Sequence, residues 1–208
     1  MTFNQLKEAS LRQFALNGYE GTSLSSLANE VGIKKQSIYT YFKSKEELFV
    51  YSFNESLSRE LHFIEGFFDG TNRMLPLEKL LYKFLIEYLN RYDRDFNTSF
   101  FIRTSFFPPQ HLRELIVRDS YQLTNNLEHL LEILFKEKEP LLHSQFSADT
   151  ATAAYLTILD GLFVEMLYGG RSERLEKRIS FGKELIVVNE HRHQAFLTFI
   201  YVNLYSNK

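Results

Sequence analysis

The chain has 208 residues, of which 44% are hydrophobic, with 20 Phe, 12 Tyr, no Trp and a formal net charge of −2. That balance excludes wholesale disorder and a basic DNA-coating protein, and the absence of cysteine excludes disulfides, thiol nucleophiles and thiolate metal sites. Only 4 Pro and 9 Gly favour long helices over a loop-rich β-protein, and the phenylalanine density suits a thick aromatic core.

Phe3, Leu6, Ala9, Leu11, Phe14 and Ala15 fall largely on one helical stripe, which predicts a first helix over Thr2–Leu16. Asn17-Gly18 ends it, with Gly18 suited to a left-handed position. This amphipathic start, with Lys7, Glu8 and Arg12, lacks the apolar centre of a signal peptide. No run approaches the roughly 18 uncharged apolar residues of a membrane helix, so a soluble cytoplasmic protein with no membrane partner is expected.

Thr22 or Ser23 can cap a second helix running to Val31, and Gly32 stands where the chain must turn. A third helix is predicted over Lys35–Tyr41. Leu24, Leu27, Ala28, Val31, Ile33 and Ile38 would pack the two together, leaving Lys34, Lys35, Gln36, Tyr39 and Thr40 outward. This is the layout of a helix-turn-helix, whose second helix enters a DNA major groove. Four lysines (Lys34, Lys35, Lys43, Lys45) and no carboxylate lie between Ile33 and Lys45. That cluster suits a phosphate-facing patch and equally a solvated helix face. Ser44 and Glu47 have the spacing of a capping box that opens a fourth helix.

The pieces Phe14-Ala15, Gly18-Tyr19, Gly21-Thr22-Ser23, Leu27-Ala28, Val31-Gly32-Ile33, Ile38-Tyr39, Tyr41-Phe42 and Ser44-Lys45-Glu46-Glu47-Leu48 occur in order. Together they resemble the DNA-binding domain of the tetracycline-repressor (TetR) family of transcriptional regulators. The resemblance implies an all-α chain with a three-helix head at 1–46 and a larger helical effector-binding and dimerisation domain at 47–208. It places Lys35, Gln36, Tyr39 and Thr40 on the groove-facing side, and Thr22, Ser23, Tyr41 and Lys45 at the DNA backbone; Lys34 and Ser37 complete the candidate DNA-binding residues. Gln36 is the candidate base reader, because its amide can bond adenine N6 and N7 together. Tyr39 is expected to rest its ring on the first helix and reach DNA with its hydroxyl. Family members commonly carry Ser or Thr where Lys34 stands, and losing that cap costs about 0.5–2 kcal/mol.

Helices are then predicted from Leu48 to Phe68, after Pro76 to Tyr92, over Asp95–Phe107, and over Gln110–Lys138 with a break near Arg118-Asp119. Another follows from Ser147 or Asp149 to Tyr168, then one in 172–187 and one in 189–205. Phe84, Tyr88, Phe100, Arg103, Phe107, Tyr121 and Phe163 are candidates to line an effector cavity, and they serve equally as plain core. A buried Arg103 would need a carboxylate partner, on Asp160, Glu165 or a ligand; in the plain-core reading Arg103 reaches solvent. The resemblance further implies an operator in double-stranded DNA, a small hydrophobic or amphipathic effector, and a homodimer through 148–168 and 189–205. No cofactor is expected. The alternative, a di-iron carboxylate enzyme, needs two Glu-x-x-His units, and the sequence offers one, Glu190 to His193. No catalytic residue or metal ligand set emerges.

Overall fold

The computed structural model describes residues 2–142 and 146–168, together with Lys177. Among these residues the chain is helical: α1 (Thr2–Gly21), α2 (Leu24–Val31), α3 (Lys35–Ile38), α4 (Lys45–Asp69), α5 (Leu77–Arg94), α6 (Phe96–Phe106), α7 (Arg113–Glu137) and α8 (Ala148–Tyr168). Short 3-10 turns at Thr71–Met74, Gln110–Leu112 and Glu139–Leu141 join some of them. The helices expected in 172–187 and 189–205, with the second half of the expected dimer surface and the Glu190–His193 unit, lie outside the described residues.

The helix boundaries have local causes. Gly18 sits inside α1 at φ 68°, ψ −176°, a conformation reserved almost entirely for glycine, so the last turn of α1 is redirected rather than continued. Ser23 caps α2 by accepting from the Ser26 amide at 3.0 Å. Gly32, left-handed at φ 74°, closes α2 by donating its N–H to Ala28 and Asn29. Ser44 caps α4 by accepting from the Glu47 amide at 3.0 Å, while the Glu47 carboxylate accepts from the Lys43 N–H one residue before the cap. Asp95 opens α6 by accepting from the Asn97 amide at 2.9 Å. α7 runs through Arg118-Asp119 without the expected break.

Two compact units emerge. The first comprises Met1–Arg73 and Ile86–Leu127. Within it α1 packs on α2, α4 and α6, and α4 packs on α6. Leu6, Phe14, Leu27, Ile38, Leu48, Phe49, Phe53, Phe100 and Phe101 are buried there. Each such side chain contributes about 1.5–3 kcal/mol by leaving water. The expected head at 1–46 is therefore not bounded by a gap in packing, since its first helix lies on α6. The second unit comprises Met74–Leu85 and the described residues from Glu128 onward. Its core gathers Leu80, Leu81, Phe84, Leu131, Phe135, Ala151, Tyr155, Leu159 and Leu162. Tyr155 donates its hydroxyl to the Leu81 carbonyl at 2.7 Å.

Among the described helices, α8 is long and apolar enough to cross a membrane by length and composition. The sequence reading found no such run. Ala148, Ala151, Tyr155, Leu159, Leu162 and Met166 form its buried stripe, as a core helix requires.

Candidate nucleic-acid interface

α2 and α3 are held by a small core. Leu24, Leu27, Ala28 and Ile38 are buried, and the Ile33 N–H donates to the Ala28 carbonyl at 2.9 Å across the turn. Lys34, Lys35, Gln36, Tyr39, Thr40 and Tyr41 are left exposed, and Ser37 half-buried. One face is thus core and the other presents two cations, an amide, a hydroxyl and two phenols. Tyr39 is 49% exposed and Tyr41 44%. The Tyr41 ring meets α1, 5.3 Å from the Phe3 ring.

The reading helix is shorter than predicted. α3 ends at Ile38, and residues 39–42 continue as tight turns in which the Tyr41 and Phe42 amides both donate to Ile38. Lys34 stands at its N-cap with extended backbone and no side-chain capping bond, which matches the cost anticipated for a lysine there.

Two expected backbone-contact residues have structural tasks in the fold. Thr22 is 1% exposed, and its hydroxyl donates to the Gly18 carbonyl at 2.9 Å, so it secures the bend rather than facing phosphate. The Lys45 ammonium donates to the carbonyls of Tyr19 at 2.9 Å and Thr22 at 3.2 Å, and lies 4.0 Å over the Tyr19 ring. It clamps the α1–α2 connector to the start of α4 and is half-buried in doing so. Ser23 remains exposed while it caps α2.

Glu30 braces α2 against α1 by accepting from Arg12 and Gln13. Burial pushes its carboxyl up. The Gln13 and Arg12 hydrogen bonds, with the guanidinium charge, outweigh that and hold it below the ordinary value of 4.5. A carboxyl depressed on folding stabilises above its unfolded pKa, and that contribution is lost as pH falls through the folded one. Glu30→Gln should therefore lower stability at neutral pH and lose its effect in acid below 4.5, read by denaturant unfolding at a series of pH values.

The residues expected around an effector scatter. Phe84, Tyr88 and Phe100 are buried, Phe163 is half-buried, and Phe107 and Tyr121 are each 59% exposed. Phe100 lies against Phe14 at 6.1 Å and Phe49 at 5.4 Å, so it belongs to the seam of α1, α4 and α6. Arg103 is exposed, and the burial that demanded a carboxylate does not arise. The largely buried arginine is Arg91. Its guanidinium reaches Glu60 Oε1 at 2.9 Å and lies 4.0 Å over the Phe63 ring. Glu60 is 0% exposed, and the same oxygen accepts from Asn97 Nδ2 at 2.9 Å and Thr98 Oγ1 at 2.8 Å. One carboxylate on α4 thus gathers donors from α5 and α6. Burial, reinforced by the Glu60 charge, keeps the Tyr88 phenol well above its ordinary value. Among the described residues no group of acidic and histidine side chains has the arrangement of a metal site.

Comparison with known proteins gives this geometry a setting. Residues 6–51 match the profile of bacterial regulatory proteins of the tetR family. The negative transcriptional regulator IcaR of the biofilm operon icaADBC, from Staphylococcus epidermidis, is 30% identical over 79 residues, which is 38% of this chain and 43% of IcaR. The chain thus spans less than half of that relative. The fatty acid metabolism regulator protein of Bacillus subtilis is 22% identical over 186 residues, 86% of this chain and 78% of that protein. In fold, the chain is similar to the crystal structure of the transcriptional regulator FadR from Bacillus subtilis in complex with stearoyl-CoA, with a TM-score of 0.63, 15% identity, and 88% and 98% of the two chains covered.

Proposed function

Given that the chain belongs to the tetR family of bacterial regulatory proteins, we propose that it is a ligand-responsive repressor of transcription that binds a near-palindromic operator as a homodimer. The observation that carries this reading is the two-faced helix-turn-helix, with Leu27 and Ile38 in the core and Lys34, Lys35, Gln36, Tyr39 and Thr40 in solvent. A dimer places two such faces one helical turn apart on DNA. The protein acts in the cytoplasm, and α8 supplies part of the dimer surface. The effector is a small hydrophobic or amphipathic molecule bound in the helices beyond the head. Because a relative of the same fold was solved with stearoyl-CoA, a long-chain acyl-CoA is the first probe. Effector binding favours an arrangement whose heads no longer fit two successive major grooves. The alternative of a metal-dependent helical enzyme has no support in a family of regulatory proteins.

A gel-shift assay with DNA from beside the protein's own gene tests the reading. Saturable binding that resists nonspecific competitor, and that weakens on addition of an acyl-CoA or another amphipath, is expected. Absence of any specific binding overturns it. Gln36 reads bases in this scheme, so Gln36→Ala should relax specificity at particular positions by about 1–3 kcal/mol. Lys34 meets phosphate, so Lys34→Ala should weaken all sequences alike and reduce the salt slope by about 1. Titrations against single-base operator variants at several salt concentrations separate the two.

The uncapped four-residue α3 adds a second expectation. Its amides should exchange quickly in free protein and become protected on operator DNA, where phosphate replaces the missing cap. Hydrogen exchange over residues 35–41 reads this, and equal protection in both states would remove the idea.

A further inference from the structure

We propose that Phe3, in the first turn of α1, is a positioning residue for DNA binding: its ring seats Tyr41 so that the phenol meets a phosphate of the operator backbone. The role rests on the regulator reading above. Little else fixes the stretch after α3. That helix ends at Ile38, and the Tyr41 and Phe42 amides share the Ile38 carbonyl, at 2.9 and 3.0 Å. Beyond a helix end the regular backbone no longer directs the side chains, and packing has to do so.

The packing comes from α1 and α4. The Phe3 ring lies 5.3 Å from that of Tyr41, 6.0 Å from Phe42 and 6.0 Å from Tyr51 of α4. Phe42 also meets Tyr51 at 5.2 Å. The pairs are tilted, stacked or edge-on, at separations where aromatic rings attract beyond the area they bury. The two neighbours of Phe3 differ in what they leave uncovered. Phe42 is 4% exposed, whereas Tyr41 is 44% exposed. Phe42 therefore anchors the turn, and Tyr41 keeps surface for a partner while its ring rests on Phe3. A phenol donates one O–H, and a phosphate oxygen accepts it in a charge-assisted hydrogen bond.

Phe3 is itself held in place. Lys7 stands one turn along the same face of α1. Its ammonium pairs with Glu55 of α4 at 2.8 Å and lies 5.7 Å from the Phe3 ring centre and 5.3 Å from that of Tyr51. Contacts thus run from α4 through Lys7 and Phe3 to Tyr41. An aliphatic side chain at position 3 would fill the space without giving Tyr41 a flat face to rest on. A phosphate contact set in this way fixes orientation and carries no base information.

Titration of the full chain against DNA from beside its own gene, with hydrogen exchange of the free protein, tests the role. The variants are Phe3→Leu, Tyr41→Phe and the two combined. Phe3→Leu keeps an apolar contact, so the head still folds. Its amide exchange over residues 39–42 should quicken about three- to tenfold, with that of α4 unchanged. Tyr41→Phe should weaken binding about tenfold by removing one bond to a charged group. Phe3→Leu should weaken it about three- to tenfold, by one factor on every single-base operator variant. The salt slope should stay the same, because a neutral phenol releases no counterion. The combined variant should bind no worse than Tyr41→Phe, since Phe3 acts through that hydroxyl. Losses that multiply in the combined variant would mean that Phe3 only packs, and overturn the role. Wild-type affinity in Phe3→Leu or in Tyr41→Phe overturns it too, as does unchanged exchange. Absence of specific DNA binding by the wild type would remove the regulator reading, and this role with it. Binding that Phe3→Leu leaves intact removes the role alone.

Discussion

Arg91→Ala should destabilise the protein by about 3–5 kcal/mol, because it strands a buried carboxylate. Glu60 is 0% exposed, and without the guanidinium at 2.9 Å it loses its cationic partner and keeps neutral donors such as Asn97 and Thr98. Asp95, the other acid near Arg91 at 3.7 Å, is far more exposed and loses little. The melting temperature should fall by roughly 6–20 °C, since each kcal/mol shifts a chain of this size by about 2–4 °C. The paired control is Glu60→Gln with Arg91→Met, which removes both charges. It should recover most of the loss, as replacing a buried ion pair with neutral groups of similar volume is often near neutral. A loss under about 1 kcal/mol for Arg91→Ala would mean that the pair contributes little to holding α4, α5 and α6 together. The node carries a functional expectation too. Its members come from α4, α5 and α6, so a movement of α4 against α5 and α6 has to break or re-form these bonds.

Phe100→Ala is the second large effect, about 3–5 kcal/mol for an aromatic ring removed from a packed core. The ring is 1% exposed and touches Phe14 of α1 and Phe49 of α4. The loss should not be confined to α6. With its platform hollowed, α1 should show faster amide exchange, and operator affinity should fall even though Phe100 lies outside the reading face. Phe100→Leu, which keeps most of the volume, should restore both. Thermal unfolding, exchange and gel-shift titration on the same three proteins read the pattern.

The sequence made the helix-turn-helix legible because its determinants are local. Ser23, Gly32 and Ser44 each act within four residues of where they stand, and each takes its predicted place at a helix end. Partners distant in sequence were not legible. The resemblance places Lys45 at the DNA backbone and says nothing of its partners within the fold. Its partners are the carbonyls of Tyr19 and Thr22, which the bend at Gly18 delivers. Arg103 stayed open between a buried, partnered arginine and one that reaches solvent, because α6 is aromatic on several sides and such a helix gives no stripe to say which side faces water. The Glu60–Arg91 pair was visible and passed over. Glu60 falls on the stripe Phe53, Leu57, Glu60, Ile64, Phe67, and Arg91 on the stripe Leu77, Leu81, Phe84, Tyr88, Arg91. A charge at a core position of each of two helices is a signal for a buried pair, though periodicity alone does not say which two charges meet.

The packing of α1 on α6 bears on modularity. A reader cut at residue 46 and grafted onto another body would carry Phe14 without Phe100 and expose the flank of its first helix. A transplantable unit has to bring α6, or an aromatic substitute at that position, along with the head. Chimeras joined after α3 should therefore inherit the DNA preference of their donor only when the recipient supplies a matching ring.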